Sequence, residues 1–209
     1  MTIRDSARPA RTPSRVLRRL SLASVAALGV SLSLVACSGD AEDAAREGYD
    51  SVSEGIVQVD IPDDLVEVEA PESSMWELIY QDGDGEAGGE GVTTQVLIAP
   101  ELEGATTAMD GPSRFLTLAN MGAYEEFRTV DLEDRPAWER EVDAERNADE
   151  RSFVRHRYVW EGPDGTEYNA VTWGVYDGGT SAAMIQYVSS HLDEDVARTI
   201  DESIVVGTD

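Results

Sequence analysis

The run Phe153-Val154-Arg155-His156-Arg157-Tyr158-Val159-Trp160-Glu161 is followed by Gly162-Pro163-Asp164-Gly165 and then by a second run, Thr166 to Tyr176. Both runs are rich in β-branched and aromatic residues, and the four residues between them are turn formers, so the segment reads as an antiparallel hairpin. A second turn, Asp177-Gly178-Gly179-Thr180, leads into the strand-like Ala182 to Val188. Trp138 to Asp143 is strand-like, lies before the hairpin and is expected to be one more strand. Four strands joined by short turns make an antiparallel meander.

Further towards the N-terminus, Ile56 to Pro62 alternates and stops at a proline followed by two aspartates, the pattern of a strand closed by a turn. Leu65 to Glu69, Trp76 to Tyr80 and Thr93 to Ala99 are further strand candidates. Pro112 suits a helix start, and Phe115, Leu116, Ala119, Ala123 and Phe127 recur at helical spacing, predicting a helix from Pro112 to Phe127. After the meander, Leu192, Val196 and Ile200 form an i, i+4, i+8 stripe for a second helix, Leu192 to Ser203, and Ser203 to Val206 is a short closing strand. Ser189, Ser190 and His191 stand where that helix would be capped.

Such an order implies an α+β domain, an antiparallel sheet covered by helices, over residues 55 to 209. A strand ending in Ile61-Pro62, a helix after the first strands and a C-terminal helix running into Ser203-Ile204-Val205 resemble the PsbP and Mog group, which includes the LpqN-type lipoproteins of actinobacteria. The resemblance implies an α/β/α sandwich. It carries no activity, because members range from supporting a photosynthetic complex to binding a GTPase.

Leu34-Val35-Ala36-Cys37 places a small residue immediately before the only cysteine, after an uncharged run from Leu20 to Ala36 and a segment bearing six arginines. The tetrapeptide resembles a lipobox. It implies a lipoprotein signal peptide over residues 1 to 36, cleavage after Ala36 with Leu34 as the branched apolar residue, and a diacylglycerol and palmitate-type acylation on Cys37. Arg18-Arg19 leaves the choice between the general and the twin-arginine export route open. Residues 37 to 54 read as a flexible acidic tether, placing the domain at the extracytoplasmic face of the cell membrane.

Of 16 basic and 42 acidic residues, six and one lie in the leader, leaving ten against 41 and a net charge of −31 on 173 residues. A surface of that sign repels phosphate backbones and excludes nucleic acid as a partner. Lysine is absent throughout, every basic side chain being arginine.

For chemistry, the two histidines, His156 and His191, have no G-x-S-x-G serine beside them, and the cysteine is taken by lipid. The expectation is a binding or interaction domain of the cell envelope, not an enzyme, requiring no cofactor. Asp82, Asp84 and Glu86 alternate in a glycine-rich loop and are weak candidates for calcium, but the register departs from a calcium-binding hand: the sixth and twelfth positions hold Ala87 and Thr93. They are also the metal ligands in an alternative reading as a metal-dependent envelope hydrolase. Arg155 and Arg157 share a strand face, and with Tyr158, Trp160 and Trp173 they are candidates for carrying a small anionic or apolar ligand. Glu139, Glu141 and Asp143 offer the competing role for these arginines, a cross-strand ion-pair ladder. Partners are thus the membrane through its anchor, an envelope protein, or a small ligand.

Overall fold

The computed structural model describes residues 46–102, 104–140 and 152–207. Leu34, Ala36 and Cys37, the start of the tether, Glu141, Asp143 and Arg151 lie outside the described residues.

Two sheets form. A seven-stranded sheet has the order β3-β4-β5-β9-β8-β7-β6, with β3 at Val66–Val68, β4 at Leu78–Gln81, β5 at Thr94–Leu102, β6 at Glu125–Thr129, β7 at Phe153–Glu161, β8 at Glu167–Tyr176 and β9 at Ala182–Ser189. Every neighbouring pair is antiparallel. A three-stranded sheet joins β1 (Tyr49–Glu54), β2 (Val57–Pro62) and β10 (Val205–Val206). Among the described residues, helix α1 at Asp110–Leu118 and helix α2 at Glu194–Ser203 flank the large sheet. The class is α+β with antiparallel sheets, as the sequence predicts. No helix among the described residues is long and apolar enough to cross a membrane.

Strand periodicity explains why β9 is buried along its whole length. Alternate side chains serve two cores. One face of the large sheet, with Ile98, Trp173 and Ile185, packs against Val59 and Ile61 of the small sheet and against Ala197 and Ile200 of α2. The other, with Leu97, Tyr158, Trp160 and Met184, packs beneath Phe115 of α1 and Trp76. Gly174 sets the approach of α1, because a Cβ there would stand 2.0 Å from the backbone oxygen of Ala108.

The hairpin turns behave as read. The Gly162 N–H donates to the Thr166 carbonyl at 2.8 Å, Gly165 takes φ +80°, and the Asp164 carboxylate accepts from the Thr166 N–H at 3.0 Å. In the second turn, Asp177 Oδ1 accepts from the N–H groups of Gly179 and Ser181.

Four expectations are corrected. The helix predicted to reach Phe127 stops at Leu118, passes through one π-turn at Ala119–Ala123 in which Gly122 takes φ +87°, and gives way to the strand β6. Glycine releases the helix there. Tyr124 and Phe127 still meet Phe115, with ring centroids 5.3 and 6.0 Å away, so the apolar spacing recorded a real cluster delivered by the wrong element type. Residues 137–140 are helical where a strand was expected; Pro136 precedes them and Arg135 reaches Glu139 four residues on.

The boundary expected at residue 54 between tether and domain falls inside the fold, because Tyr49–Glu54 pairs with β2 through a tight turn at Gly55, whose φ is +55°. An edge strand needs few apolar residues, and Val52 alone packs on the core. Finally, Asp193 caps α2 by accepting from the N–H groups of Asp195 and Val196, which displaces the Ser189, Ser190 and His191 trio from that role.

Candidate functional site

The arginine strand faces inwards. Arg155 and Arg157 project from β7 onto the core face that α2 covers, and the segment around Glu139 closes over them. Arg157 grips the Glu194 carboxylate with two nitrogens, both at 2.8 Å, and donates to Glu139 Oε1 at 3.0 and 2.6 Å. Arg155 donates to the Glu139 carbonyl at 2.8 Å and to Asp201 on α2. Trp173 Nε1 reaches the same Asp201 oxygen at 2.8 Å, and Trp138 Nε1 donates to Glu194 at 3.1 Å. Glu139 is fully buried and Asp201 nearly so, at 1 % exposure.

Burial works against the Arg157 charge. The hydrogen bonds and negative charge of Glu194 and Glu139 outweigh it and hold the guanidinium above its ordinary pKa. Among the described residues, three arginines, including Arg135, face the carboxylates of Glu139, Glu194 and Asp201. The competing role read from the sequence is thus the observed one for Glu139. Its carboxylate comes from a helical segment and not from a neighbouring strand.

Tyr158 and Trp160 belong to the opposite face of β7. A set uniting Arg155, Arg157, Tyr158 and Trp160 is therefore divided by the sheet, and Trp173 stays with the arginines. Tyr158 is completely buried, stacked 6.0 Å from His156 at 13°, and burial raises its phenol well above the usual tyrosine range. His156 Nε2 lies 3.3 Å from Met109 Sδ at the start of α1, a packing role.

Trp160 lines a cleft of about 210 Å³ on that second face. Its walls are Trp76, Tyr124, Trp160 and Tyr168, and its floor carries Gln95, Leu97, Gln186 and Val188 from β5 and β9. The Trp160 ring stands 5.2 Å from Tyr124 at 58° and 6.2 Å from Tyr168 at 20°, making a continuous aromatic wall. Tyr168 is pinned by donating its hydroxyl to the Val92 carbonyl at 3.2 Å, and Gln186 by donating to Thr172 at 2.7 Å. Among the described residues, the lining includes no carboxylate, imidazole or guanidinium. Trp76, Tyr124, Tyr168 and the two glutamines escaped the sequence reading; Gln186, a polar residue at an inward position of an apolar strand, was the available signal.

The acidic loop is organised from within. Gln81 is completely buried, and its amide nitrogen donates to the carbonyls of Gly83, Gly85 and Glu86 at 3.0, 3.4 and 3.3 Å. Its oxygen accepts from the Gly88 N–H and from Gln95. Inward carbonyls that could hold a cation thus meet a side-chain amide instead. The Asp82 carboxylate accepts from the Thr93 N–H at 3.1 Å and from its hydroxyl, which closes the base of the loop. Asp84 and Glu86 border an open groove with Glu67, Glu69 and Glu72, and among the described residues no group of three or more His, Cys, Asp or Glu is placed to hold a metal ion.

Fold and cleft together define an antiparallel α+β domain with a neutral, ring-lined concavity of the kind that holds small ligands. No family model matches the chain, and no curated protein matches it. Solved structures with a similar arrangement include a protein of Bacteroides thetaiotaomicron, 10% identical over 78% of this chain with a TM-score of 0.42; this chain spans 50% of that one. The Ran-binding protein Mog1p of Saccharomyces cerevisiae is 8% identical over 77% of this chain and 96% of its own, at a TM-score of 0.44. A point mutant of Mog1 gives the same identity and coverage at 0.45.

Proposed function

We propose that the chain is a lipid-anchored, extracytoplasmic binding domain without catalytic activity, and that its binding surface is the cleft between Trp76, Tyr124, Trp160 and Tyr168. The composition of that cleft carries the reading. A concavity walled by four rings and floored by two amides offers stacking area and orienting hydrogen bonds. It presents no acid–base pair to move a proton. The arginines of β7 hold α2 and the helical segment around Glu139 against the sheet through ion pairs, which favours the ring-lined cleft over the arginine strand as the place for a ligand.

The anchor is supported by the residues that resemble a lipobox, Leu34, Ala36 and Cys37. An LpqN-type relationship within the PsbP and Mog group agrees with the α+β class and with an envelope lipoprotein, and is part of the same proposal. Two measurements test it. Cells producing the chain should incorporate a fatty-acid probe into it, and Cys37→Ser should abolish that label; labelling that persists in the variant contradicts the anchor. A thermal-shift screen of ring-sized solutes on the full chain should find compounds that raise the Tm, an effect lost in Tyr168→Leu. Compounds that stabilise the variant equally would place binding elsewhere.

A further inference from the structure

The charge around the cleft narrows what it takes. Anions are disfavoured twice: no guanidinium of the described residues enters the lining, and the chain carries a net charge of −26. The acid residues come close to the rings without joining them. The Asp82 carboxylate accepts from the N–H of Thr93, a lining residue, at 3.1 Å, and Asp164 follows the lining residues Gly162 and Pro163 in the hairpin turn; burial first, and then these two carboxylates, raise the Tyr168 phenol. Asp164 and the loop from Gly88 to Val92 border the opening beside Tyr168.

A cation drawn in by that field meets aromatic rings and amides, with no carboxylate among the described lining residues to replace lost water. A metal ion or a primary ammonium is strongly hydrated and would forfeit its shell for little return. An alkylated ammonium is bulky and weakly hydrated, and ring faces recognise it through their quadrupoles. Size agrees as well. A cavity of about 150 Å³ holds a benzene-sized solute, so about 210 Å³ admits a trimethylammonium group with a short chain.

We propose that the cleft binds an organic cation of the quaternary ammonium class, its charged head against Trp160, Tyr168 and Tyr124 and its chain directed towards Gln95 and Gln186. This inference rests on the cleft being the binding site. Choline and 3,3-dimethyl-1-butanol, its uncharged carbon isostere, are the probes, titrated calorimetrically into the full chain in a neutral detergent. Choline is expected to bind about 10- to 30-fold more tightly than the alcohol. Tyr168→Leu, which retains an apolar wall and removes a π face, should bring the ratio towards one while the fold, checked by its Tm, persists. Equal binding of the two probes would overturn the cation and leave the cleft standing as a site. Binding of neither would overturn both, and an unchanged ratio in Tyr168→Leu would remove the assignment to these rings.

Discussion

Glu139 shows at the scale of one residue how this molecule uses its few basic groups. Its carboxylate is fully buried beside Arg155 and Arg157, within 3.9 Å of Arg135, and one of its oxygens takes two of the Arg157 donors. Removing one partner from a buried ionic cluster leaves the others desolvated and unpaired, at a cost of about 3–5 kcal/mol. Glu139→Gln should therefore lower the unfolding free energy by about that amount in urea denaturation; a change below about 1 kcal/mol would mean that water reaches the cluster. Residue-scale legibility was uneven for a simple reason. Side-chain parity along β7 was readable, and it does place Arg155 and Arg157 together, but grouping them with Tyr158 and Trp160 crossed that parity. Nothing in the spacing of Asp201 or Glu194 announced that α2 would bring both to the arginines. Contacts made across 37 and 46 residues of chain depend on the finished fold.

Among the elements, three of the four expected meander strands were legible and the helices were legible only in part. Strands β7, β8 and β9 carry strong β-formers between turns with their own chemistry, and local signals suffice. Helix α1 ended nine residues early because Gly122 and the pull of Tyr124 and Phe127 onto Phe115 override a spacing that reads as helical. Its seat depends on Gly174. Gly174→Ala sets a methyl against the Ala108 carbonyl, and neither backbone can yield cheaply; a loss of about 3 kcal/mol, the upper end of overpacking costs, is expected on chemical denaturation. The same substitution should disturb the cleft, since Phe115 of α1 supports Tyr124 and Trp160. Helix α2 depends instead on its cap. Asp193→Ala should cost about 1 kcal/mol by the same measurement, and a neutral result would show the helix held by its arginine contacts alone.

For the molecule as a whole, a two-faced sheet with separate cores is the arrangement that keeps the ionic cluster and the aromatic cleft apart. Each core buries tyrosines, and this gives the domain an alkaline limit. Burial, the largest influence, pushes the Tyr187 phenol up to about 12 from an ordinary 10.0. A raised folded pKa means that the unfolded chain ionises first, so stability holds below pH 10 and falls as pH rises from about 10 towards 12. Tyr187→Phe should flatten that fall in pH-dependent thermal melts; an unchanged slope would assign it to other groups. Fold class was legible because it follows from patterning repeated over many residues, whereas the second sheet and the cleft were not, the cleft lining coming from separate stretches of chain that only the large sheet assembles.

The chain has four tryptophans, and they divide evenly: Trp76 and Trp160 line the cleft, while Trp138 and Trp173 donate to Glu194 and Asp201 in the ionic cluster. Their four indole N–H signals in a nitrogen-15 correlation spectrum therefore report separately on the two faces. Titration with choline should shift the Trp76 and Trp160 signals in a saturable way and leave Trp138 and Trp173 in place. Movement of Trp138 and Trp173 with a silent cleft would make the arginine strand the binding surface and contradict the account.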